Sequence, residues 1–215
     1  MSSVVVIDYG MGNLHSIVKA LQHVEPKANV MATSDKEAIL NADHVVFPGV
    51  GAIRDCMEAL EQSGLSTVIR EIARSKPLLG ICLGMQALLS ESEENDGTPC
   101  LNIFSGRVVR FSDSLTDKSG IKLKIPHMGW NRVHQMPHPL WHNIPQDSRF
   151  YFVHSYYAEP ADSSVIAATS NYPEPFTCAI AEDNVFAVQF HPEKSQTVGL
   201  QLLQNFLHWD GQVLI

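Results

Sequence analysis

The sequence predicts an α/β protein with an open, mostly parallel, twisted sheet flanked by helices and with extra antiparallel strands in its second half. Three observations support this prediction. In the first half, short apolar or β-branched runs alternate with segments whose apolar residues recur at helical spacing. Turns containing Gly or Pro separate the two kinds of segment. In the second half, the apolar runs are shorter and follow one another without long helical segments.

The length and composition of the chain favour one compact domain. The chain has 215 residues, of which 45% are hydrophobic and 18% are charged, and its formal net charge is −8. One core suits a chain of this size, so we expect a single domain over residues 1–215. An acidic balance without a Lys or Arg cluster argues against a nucleic-acid partner. The sequence has no signal-peptide pattern and no apolar run long enough to span a membrane, which predicts a cytoplasmic protein without a membrane partner.

The first half is predicted to contain four strand-and-helix units. Residues 4–7 form a β-branched run that ends at Asp8 and is typical of a buried strand. Asn13 is placed to cap the helix that follows, and Pro26 ends that helix. The same patterns predict strands at 28–31, 45–47 and 77–81, and helices at 35–40, 57–72 with a break at Gly64, and 83–89. Right-handed crossovers would join these strands into a parallel sheet.

The pattern changes after Ser90. Residues 91–96 are rich in Glu and Asp and are predicted to form a solvated loop, because acidic side chains oppose the dipole at the end of a helix. Short apolar runs then predict strands at 108–111, 130–133, 150–153, 165–168, 178–181 and 185–190. Ser195 is placed to cap a last helix.

The segment Gly80-Ile81-Cys82-Leu83-Gly84 is the sharpest candidate for a functional site. It follows a predicted buried strand and opens a predicted helix, which is the layout of a nucleophile elbow with Cys in place of Ser. Small residues two before and two after the nucleophile permit the close backbone approach of such a turn. Amides at a helix N-terminus favour a thiolate over a thiol. We therefore expect Cys82 to be a nucleophile and not a buried structural cysteine.

His191 is the candidate base for this thiol. It follows the apolar run 185–190 and begins the segment His191-Pro192-Glu193, in which the proline marks the end of a strand. Residues i and i+2 of an extended chain project the same way, roughly 6.6 Å apart, within reach of a Glu side chain. Glu193 can therefore fix the imidazole tautomer and stabilise the imidazolium, as the third member of a catalytic triad does.

Acyl transfer also needs donors for a developing oxyanion. The backbone N–H of Leu83, next after the candidate nucleophile, is one expected donor. The second is expected from the segment Pro48-Gly49-Val50-Gly51, with Val50 and Gly51 as the candidates. This loop leaves the carboxyl end of a neighbouring parallel strand, which is where open α/β sheets place their sites.

Two other patterns are rejected on physical grounds. Residues 10–15 resemble a dinucleotide-binding glycine motif, but its sixth position is His15, where packing of the helix on the strand requires a small residue. His134, His138 and His142 repeat every four residues, as zinc ligands on a helix would, but prolines between them prevent a regular helix. The four cysteines lack a CxxC spacing. We therefore expect no metal site.

Six segments spread along the chain match motifs of one enzyme class. They are Asp8-Tyr9-Gly10-Met11-Gly12-Asn13, Phe47-Pro48-Gly49-Val50-Gly51-Ala52, Gly80-Ile81-Cys82-Leu83-Gly84-Met85-Gln86, His127-Met128-Gly129-Trp130-Asn131, His154-Ser155-Tyr156-Tyr157 and Gln189-Phe190-His191-Pro192-Glu193-Lys194-Ser195. On these segments the sequence resembles the class I glutamine amidotransferases. Ile53 stands where an aromatic residue is expected after the glycine loop, a departure that leaves the Cys-His-Glu triad unchanged.

The resemblance implies a flavodoxin-like open sheet and glutaminase activity. Cys82 would attack the side-chain amide of glutamine and His191 would move the proton. Ammonia would leave before water cleaves the γ-glutamyl thioester, and glutamate would be the second product. The implied glutamine contacts are Gln86, Ser155, Tyr156 and the backbone near Gly51. No metal or organic cofactor is implied.

Three of the segments narrow the resemblance within the class: the first motif, the His-Met-Gly-Trp-Asn segment and the His-Ser-Tyr-Tyr segment. They imply a heterodimer in which the ammonia passes, sheltered from water, to a separate cyclase subunit with a (β/α)₈ barrel. In histidine biosynthesis that cyclase makes imidazole glycerol phosphate and an aminoimidazole carboxamide ribonucleotide. Met128, Trp130 and Asn131 are candidates for the partner-facing side, although Trp130 in a β-rich segment suits the core equally well.

Three alternative functions share some of these sequence features. A glutaminase that serves another synthase, in the pyridoxal phosphate or anthranilate pathway, would keep the triad but lack the 127–131 segment. A peptidase or γ-glutamyl hydrolase on a related fold would act without a partner. A non-catalytic binding module would have lost the Cys or the His, and this chain has both.

Overall fold

The computed structural model describes residues 2–117 and 119–212. Its strands are β1 (Ser3–Ile7), β2 (Asn29–Thr33), β3 (His44–Gly49), β4 (Leu78–Cys82), β5 (Glu91–Ser92), β6 (Thr98–Pro99), β7 (Gly106–Arg110), β8 (His127–Arg132), β9 (His134–Gln135), β10 (Arg149–His154), β11 (Tyr156–Pro160), β12 (Ile166–Asn171), β13 (Pro175–Glu182) and β14 (Val185–Val188). Its α-helices are α1 (Leu14–Val24), α2 (Lys36–Asn41), α3 (Ile53–Ser63), α4 (Leu65–Ile72), α5 (Leu83–Ala87) and α6 (Gln196–His208).

A twisted sheet runs through the molecule in the strand order β2-β1-β3-β4-β14-β13-β11-β7-β5-β6. The five strands from β2 to β14 are parallel, whereas β13, β11 and β7 continue the sheet in antiparallel fashion. β12 and β9 extend it beside β13, and β8 and β10 form a separate antiparallel pair. The predicted open, mostly parallel sheet with antiparallel additions is confirmed.

Helices cover both faces of the parallel strands because successive side chains of a strand point to opposite sides. Val5 and Ile7 of β1 pack in one core with residues of α2, α3, α4 and α5. Val4 and Val6 pack in the other core with residues of α1 and α6. The continuous apolar run in β1 therefore reflects burial on both sides. Within the described residues, none of the helices combines the length and the apolar character that crossing a membrane requires.

The elements of the first half follow the predicted pattern. α1 begins and ends where expected, but the Asn13 side chain makes no capping hydrogen bond, since its φ of −87° and ψ of 62° lie outside the extended geometry of a typical cap. Asp35 does cap α2, where its carboxylate accepts a hydrogen bond from the N–H of Ala38. Gly64, with φ of 68°, separates α3 from α4.

The second half departs from the prediction in several places: the two-residue strands β6 and β9 were not predicted, and β8 and β12 have other bounds than expected. β11 was not predicted, because Tyr156–Pro160 is polar and only half-buried and shows no clear apolar alternation. Residues 91–96 are not simply a solvated loop. Glu93 accepts a hydrogen bond from the N–H of Arg110, and Glu94 accepts one from the N–H of Ile53 at the start of α3. The acidic stretch is therefore tied to the sheet and to a helix N-terminus, where negative charge is favourable.

Two glycines permit a close approach of helix to backbone next to the candidate site. A Cβ on Gly84 of α5 would lie 2.0 Å from the carbonyl oxygen of Phe47 in β3. A Cβ on Gly199 of α6 would lie 1.9 Å from the carbonyl oxygen of Pro192. Carbonyl groups held in a strand or a tight turn cannot move aside cheaply. Both helices therefore require glycine at these contacts.

Replacing Gly84 by Ala is expected to destabilise the fold by about 3 kcal/mol, because the added methyl group overpacks the contact with Phe47. Helix propensity alone predicts the opposite sign, a gain of up to about 1 kcal/mol. The free energy of unfolding from urea denaturation distinguishes the two. A Gly84→Ala protein as stable as the wild type would refute the contact argument.

Candidate active site

The carboxyl ends of three neighbouring parallel strands, β3, β4 and β14, meet at one edge of the sheet. Cys82 is the last residue of β4 and lies in register with Gly49, the last residue of β3. On the other side Ile81 lies in register with Val188, and the chain continues from there to His191. The sheet register therefore brings the predicted elbow, the glycine loop and the predicted base to the edge where open α/β sheets place their sites.

Cys82 adopts the strained backbone expected of a nucleophile elbow. Its φ is 55° and its ψ is −108°, a conformation that costs a non-glycine residue about 1–3 kcal/mol. The next residue, Leu83, begins α5, which packs on β3 through Gly84. The close packing of α5 on the strand holds this turn in place. The Cys82 side chain is nearly buried but lines a cavity.

His191 and Glu193 form a buried pair. Nδ1 of His191 lies 2.9 Å from Oε1 of Glu193, and their side chains are 3% and 0% exposed. The carboxylate accepts this hydrogen bond, so Nδ1 carries a proton. Among the described residues, Nε2 of His191 has no hydrogen-bond partner within ordinary distance, and His191 lines the same cavity as Cys82. The orientation is the one predicted for a triad base, with one nitrogen bound to the carboxylate and the other left unpaired.

The pKa of His191 is raised to about 10. Burial by itself lowers it, but interaction with the Cys82 sulfur and with the Glu193 carboxylate outweighs the burial and favours the imidazolium. His127 and His154 provide a contrast, since burial lowers the pKa of His127 to about 4 and that of His154 to about 3. Of these three buried imidazoles, the one with a carboxylate partner is therefore charged at neutral pH.

Hydrogen bonds to the backbone hold the His-Pro-Glu segment. The N–H of His191 donates to the carbonyl oxygen of Tyr151, and the Ser195 hydroxyl donates to the carbonyl oxygen of His191. Ser195 also accepts from the N–H of Tyr151. Ser195 occupies the position before α6, and the prediction that its side chain caps that helix is wrong. Its hydroxyl instead joins the His-Pro-Glu segment to β10 through the two hydrogen bonds just described.

The predicted oxyanion residues line the cavity beside Cys82. Gly51 has φ of 104°, a conformation open to glycine, and Val50 is 40% exposed. Pro48, two residues before Val50, is held by a hydrogen bond from the Tyr9 hydroxyl to its carbonyl oxygen at 2.8 Å. Leu83, at the first position of α5, completes the set of expected donors.

One cavity of about 310 Å³ gathers the predicted residues. Those of its lining that the sequence pointed to are Val50, Gly51, Cys82, Leu83, Gln86, Ser155, Tyr156 and His191. Glu193 lies behind His191 and does not line the cavity. Four other residues line the cavity that the sequence patterns did not assign to the site, which are Glu94, Pro126, Val153 and His154. His154 is itself the first residue of the His-Ser-Tyr-Tyr motif, whereas no local signal marked Glu94 out from its acidic neighbours.

In the 127–131 segment, some side chains are exposed to solvent and others make hydrogen bonds within the protein. Met128 and Trp130 are 64% and 43% exposed, so Trp130 is not a core residue. Asn131 was expected to face a partner, but its amide nitrogen donates inward, to Nε2 of His127 and to the carbonyl oxygen of Asn171. Alternation along β8 explains the difference, since residues 128 and 130 share one face and 131 lies on the other.

The histidines of the 134–142 segment do not converge. His134 contacts Asp147, and His138 accepts a hydrogen bond from the N–H of Leu140. Across residues 2–117 and 119–212, no group of three or more His, Cys, Asp or Glu side chains is arranged to hold a metal ion.

The fold and the Cys-His-Glu arrangement are those of a thiol-dependent amidotransferase. The chain belongs to the class-I glutamine amidotransferase family, whose model matches residues 5–209. A solved glutamine amidotransferase from Thermotoga maritima has the same fold, with a TM-score of 0.60 at 16% identity over 89% of this chain and 76% of that chain.

Curated relatives of this chain share the name of one particular member of the family. Imidazole glycerol phosphate synthase subunit HisH of Methylococcus capsulatus is 65% identical over 212 residues, covering 98% of each chain. Imidazole glycerol phosphate synthase subunit HisH 1 of Pseudomonas aeruginosa is 55% identical over 213 residues, covering 99% of each chain. The resemblance drawn from the six sequence segments is confirmed, and the relatives are named as subunits of a larger synthase.

Replacing Glu193 by Gln is expected to lower the pKa of His191 from about 10 towards its ordinary value of 6.5, because the carboxylate charge that favours the imidazolium is lost. A ¹⁵N NMR titration of the imidazole measures this directly. Glu58→Gln, the same change at an exposed position of α3, is the matched control. A His191 pKa that stays near 10 in the Glu193→Gln protein would show that the carboxylate is not its cause.

The same shift has a consequence for stability. The pKa of His191 is higher in the folded protein than in the unfolded chain, so protonation of His191 stabilises the fold. This contribution to the free energy of unfolding is fully present below pH 6.5 and is lost as the pH rises through about 10. The difference in free energy of unfolding between the wild type and Glu193→Gln is therefore expected to shrink across that interval.

Proposed function

We propose that the chain is the glutaminase subunit of an imidazole glycerol phosphate synthase and supplies ammonia to a partner subunit. The observation that carries this proposal is the single cavity in which Cys82 meets His191, the glycine loop and the predicted glutamine contacts. The names of the relatives at 55% and 65% identity support the same assignment. We further propose that residues 1–215 act as one domain, in the cytoplasm.

The proposed reaction begins with Cys82 as a thiolate paired with the His191 imidazolium. The sulfur attacks the side-chain carbonyl carbon of glutamine, and the N–H groups of Leu83 and of the Val50–Gly51 segment stabilise the oxyanion. His191 then donates its proton from Nε2 to the leaving nitrogen, the C–N bond breaks, and ammonia departs. Glu193 keeps the imidazole oriented throughout.

The γ-glutamyl thioester is then hydrolysed. The neutral His191 takes a proton from a water molecule, which attacks the thioester carbonyl carbon within the same oxyanion site. The C–S bond breaks, and glutamate leaves while the thiolate and imidazolium are restored. The step consumes one water and requires no metal or organic cofactor.

Substrate recognition is assigned to the polar groups of the cavity wall. The Gln86 amide nitrogen already donates to the carbonyl oxygen of Tyr156 and to Oε1 of Gln189, so its own Oε1 is left to accept from glutamine. Ser155 and Tyr156 border the same space. Glu94 supplies the carboxylate of the cavity lining, and its charge suits the α-ammonium group of glutamine.

The proposed partner is a cyclase subunit with a (β/α)₈ barrel, in a heterodimer. Met128 and Trp130 are large apolar side chains exposed on one face of β8, a pattern typical of the centre of a protein interface. The strand begins just after Pro126, which lines the cavity. A partner seated on this face would therefore lie next to the site where ammonia is released.

Cys82→Ala is expected to abolish glutamine-dependent formation of imidazole glycerol phosphate by the complex and to leave ammonium-dependent formation intact. The smaller side chain removes the nucleophile without overpacking the elbow. The test mixes the variant with the cyclase and its ribonucleotide substrate at mildly alkaline pH, with glutamine or with ammonium chloride.

The wild-type chain is the control for both nitrogen sources. Product from glutamine with the Cys82→Ala protein would remove Cys82 from the mechanism. If the wild type gave no product from glutamine while the same cyclase used ammonium, the chain would serve another synthase or none.

Trp130→Ala is expected to weaken binding to the cyclase at least about 30-fold, the loss typical of a central aromatic contact. Met31→Ala is the matched control, because Met31 is 41% exposed on β2, an edge strand of the main sheet, to which β8 does not belong. Dissociation constants from calorimetry provide the measurement. Equal affinity of the Trp130→Ala protein and the wild type would exclude this face of β8 as the docking surface.

A further inference from the structure

Gln189 is a fully buried polar side chain that the proposed mechanism does not use. It follows β14 directly and precedes His191 by two residues. The chain bends at Gln189 and Phe190, which leaves Gln189 in contact with Cys82 and places His191 on the cavity that Cys82 lines. Its amide nitrogen lies 3.7 Å from the sulfur of Cys82 and donates a hydrogen bond to it.

The hydrogen-bond network around Gln189 fixes which end of its amide faces the sulfur. The carbonyl oxygen of Tyr156 can only accept, so the Gln86 group that contacts it at 3.1 Å must be the amide nitrogen. The second N–H of Gln86 then donates to the oxygen of Gln189 at 2.9 Å. With its oxygen committed to Gln86, Gln189 can present only its NH₂ group to Cys82.

A second donor anchors the same carbonyl oxygen. Nδ1 of His154 lies 2.8 Å from the oxygen of Tyr156 and donates to it, which leaves Nε2 of His154 to accept from Nδ1 of His127 at 2.8 Å. Both imidazoles are kept neutral by burial, which lowers the pKa of each well below 6.5. Each hydrogen bond in this network therefore has one possible donor. The side-chain amides of Gln86 and Gln189 each have one orientation that satisfies the network.

We propose that Gln189 is a positioning residue for the nucleophile: its amide N–H holds the Cys82 sulfur and stabilises the thiolate form. The inference rests on the proposed role of Cys82 and extends it. A donor to sulfur favours the charged form over the neutral one. It also aims the sulfur, since the backbone of the elbow sets the direction of the Cα–Cβ bond but not the rotation about it.

The effect of the Gln189 amide on Cys82 can be measured separately from the effects of the titratable groups around the sulfur. The titratable side chains that line the cavity with Cys82 are Glu94, His154, Tyr156 and His191, and Tyr9 lies behind the neighbouring Gly49. Replacing Gln189 by Met changes none of these charges and keeps a side chain of similar length. A change in the reactivity of Cys82 then reports the lost N–H.

The test measures alkylation of Cys82 by iodoacetamide in the full chain, followed by peptide mass spectrometry because Cys56, Cys100 and Cys178 are also free thiols. Gln189→Met is expected to slow alkylation about tenfold at neutral pH, with rates that converge at strongly alkaline pH, where the thiol ionises in both proteins. Gln135→Met is the matched control, because Gln135 is also buried and hydrogen-bonded but lies outside the cavity. Wild-type alkylation rates in the Gln189→Met protein at neutral pH would overturn the proposal.

Steady-state kinetics of the complex separate this role from one in substrate binding. Loss of thiolate stabilisation lowers kcat and leaves KM near the wild-type value. A raised KM with unchanged alkylation would instead mean that Gln189 serves only to orient Gln86, and would refute the proposal. Because alkylation needs no glutamine turnover, the result stands even if the chain proves not to be a glutaminase.

A measurement on the unaltered side chain covers the case in which Gln189→Met does not fold. The side-chain amide resonances of Gln189 are expected to shift in ¹H–¹⁵N NMR spectra when Cys82 is replaced by Ala, whereas those of Gln135 stay in place. Unchanged Gln189 resonances would show that its N–H does not contact the sulfur.

Discussion

The turn at Cys82 is the constraint on which the rest of the site depends. Its positive φ places a non-glycine residue in a conformation that the chain does not adopt freely. The turn is held because α5 packs on β3 with no space between Gly84 and the carbonyl oxygen of Phe47. A looser contact would let the backbone relax and rotate the sulfur away from the cavity. The packing of the apolar core thereby determines the direction in which the Cys82 side chain leaves the backbone.

The position of His191 is held independently of that of Cys82. Ser195 and Tyr151 fix the backbone of His191 through hydrogen bonds, and Gly199 lets α6 close on Pro192. The two halves of the pair then meet through sheet register, since β14 lies directly beside β4. The relative placement of the sulfur and the imidazole therefore follows from the pairing of β14 with β4 and from the hydrogen bonds that hold the His191 backbone.

The charge state of each buried imidazole at the site depends on whether it has a carboxylate partner. His191 has Glu193 at 2.9 Å and the Cys82 sulfur in the cavity beyond, and it favours its charged form. His127 and His154 are buried without a carboxylate and favour the neutral form, so they act as fixed hydrogen-bond links. In the proposed mechanism, histidine therefore carries a proton at position 191, whereas at positions 127 and 154 it is a neutral hydrogen-bond partner.

The sequence by itself determined the parallel half of the sheet, the elbow and the His-Pro-Glu segment, because each is encoded in local spacing of apolar residues, glycines and prolines. It also pointed to Gln86, Ser155 and Tyr156 through motifs that are contiguous in the chain. Only the tertiary structure decided the rest: Glu94 reaches the cavity from a stretch that looks solvated, and Asn131 turns inward from a strand whose neighbours face out. Ser195 joins two segments instead of capping a helix, and Gln189 finds its partners at Cys82 and Gln86, more than a hundred residues away. The reason is physical: periodicity reports whether a side chain is buried, whereas the choice of hydrogen-bond partner depends on which distant strand the sheet places beside it.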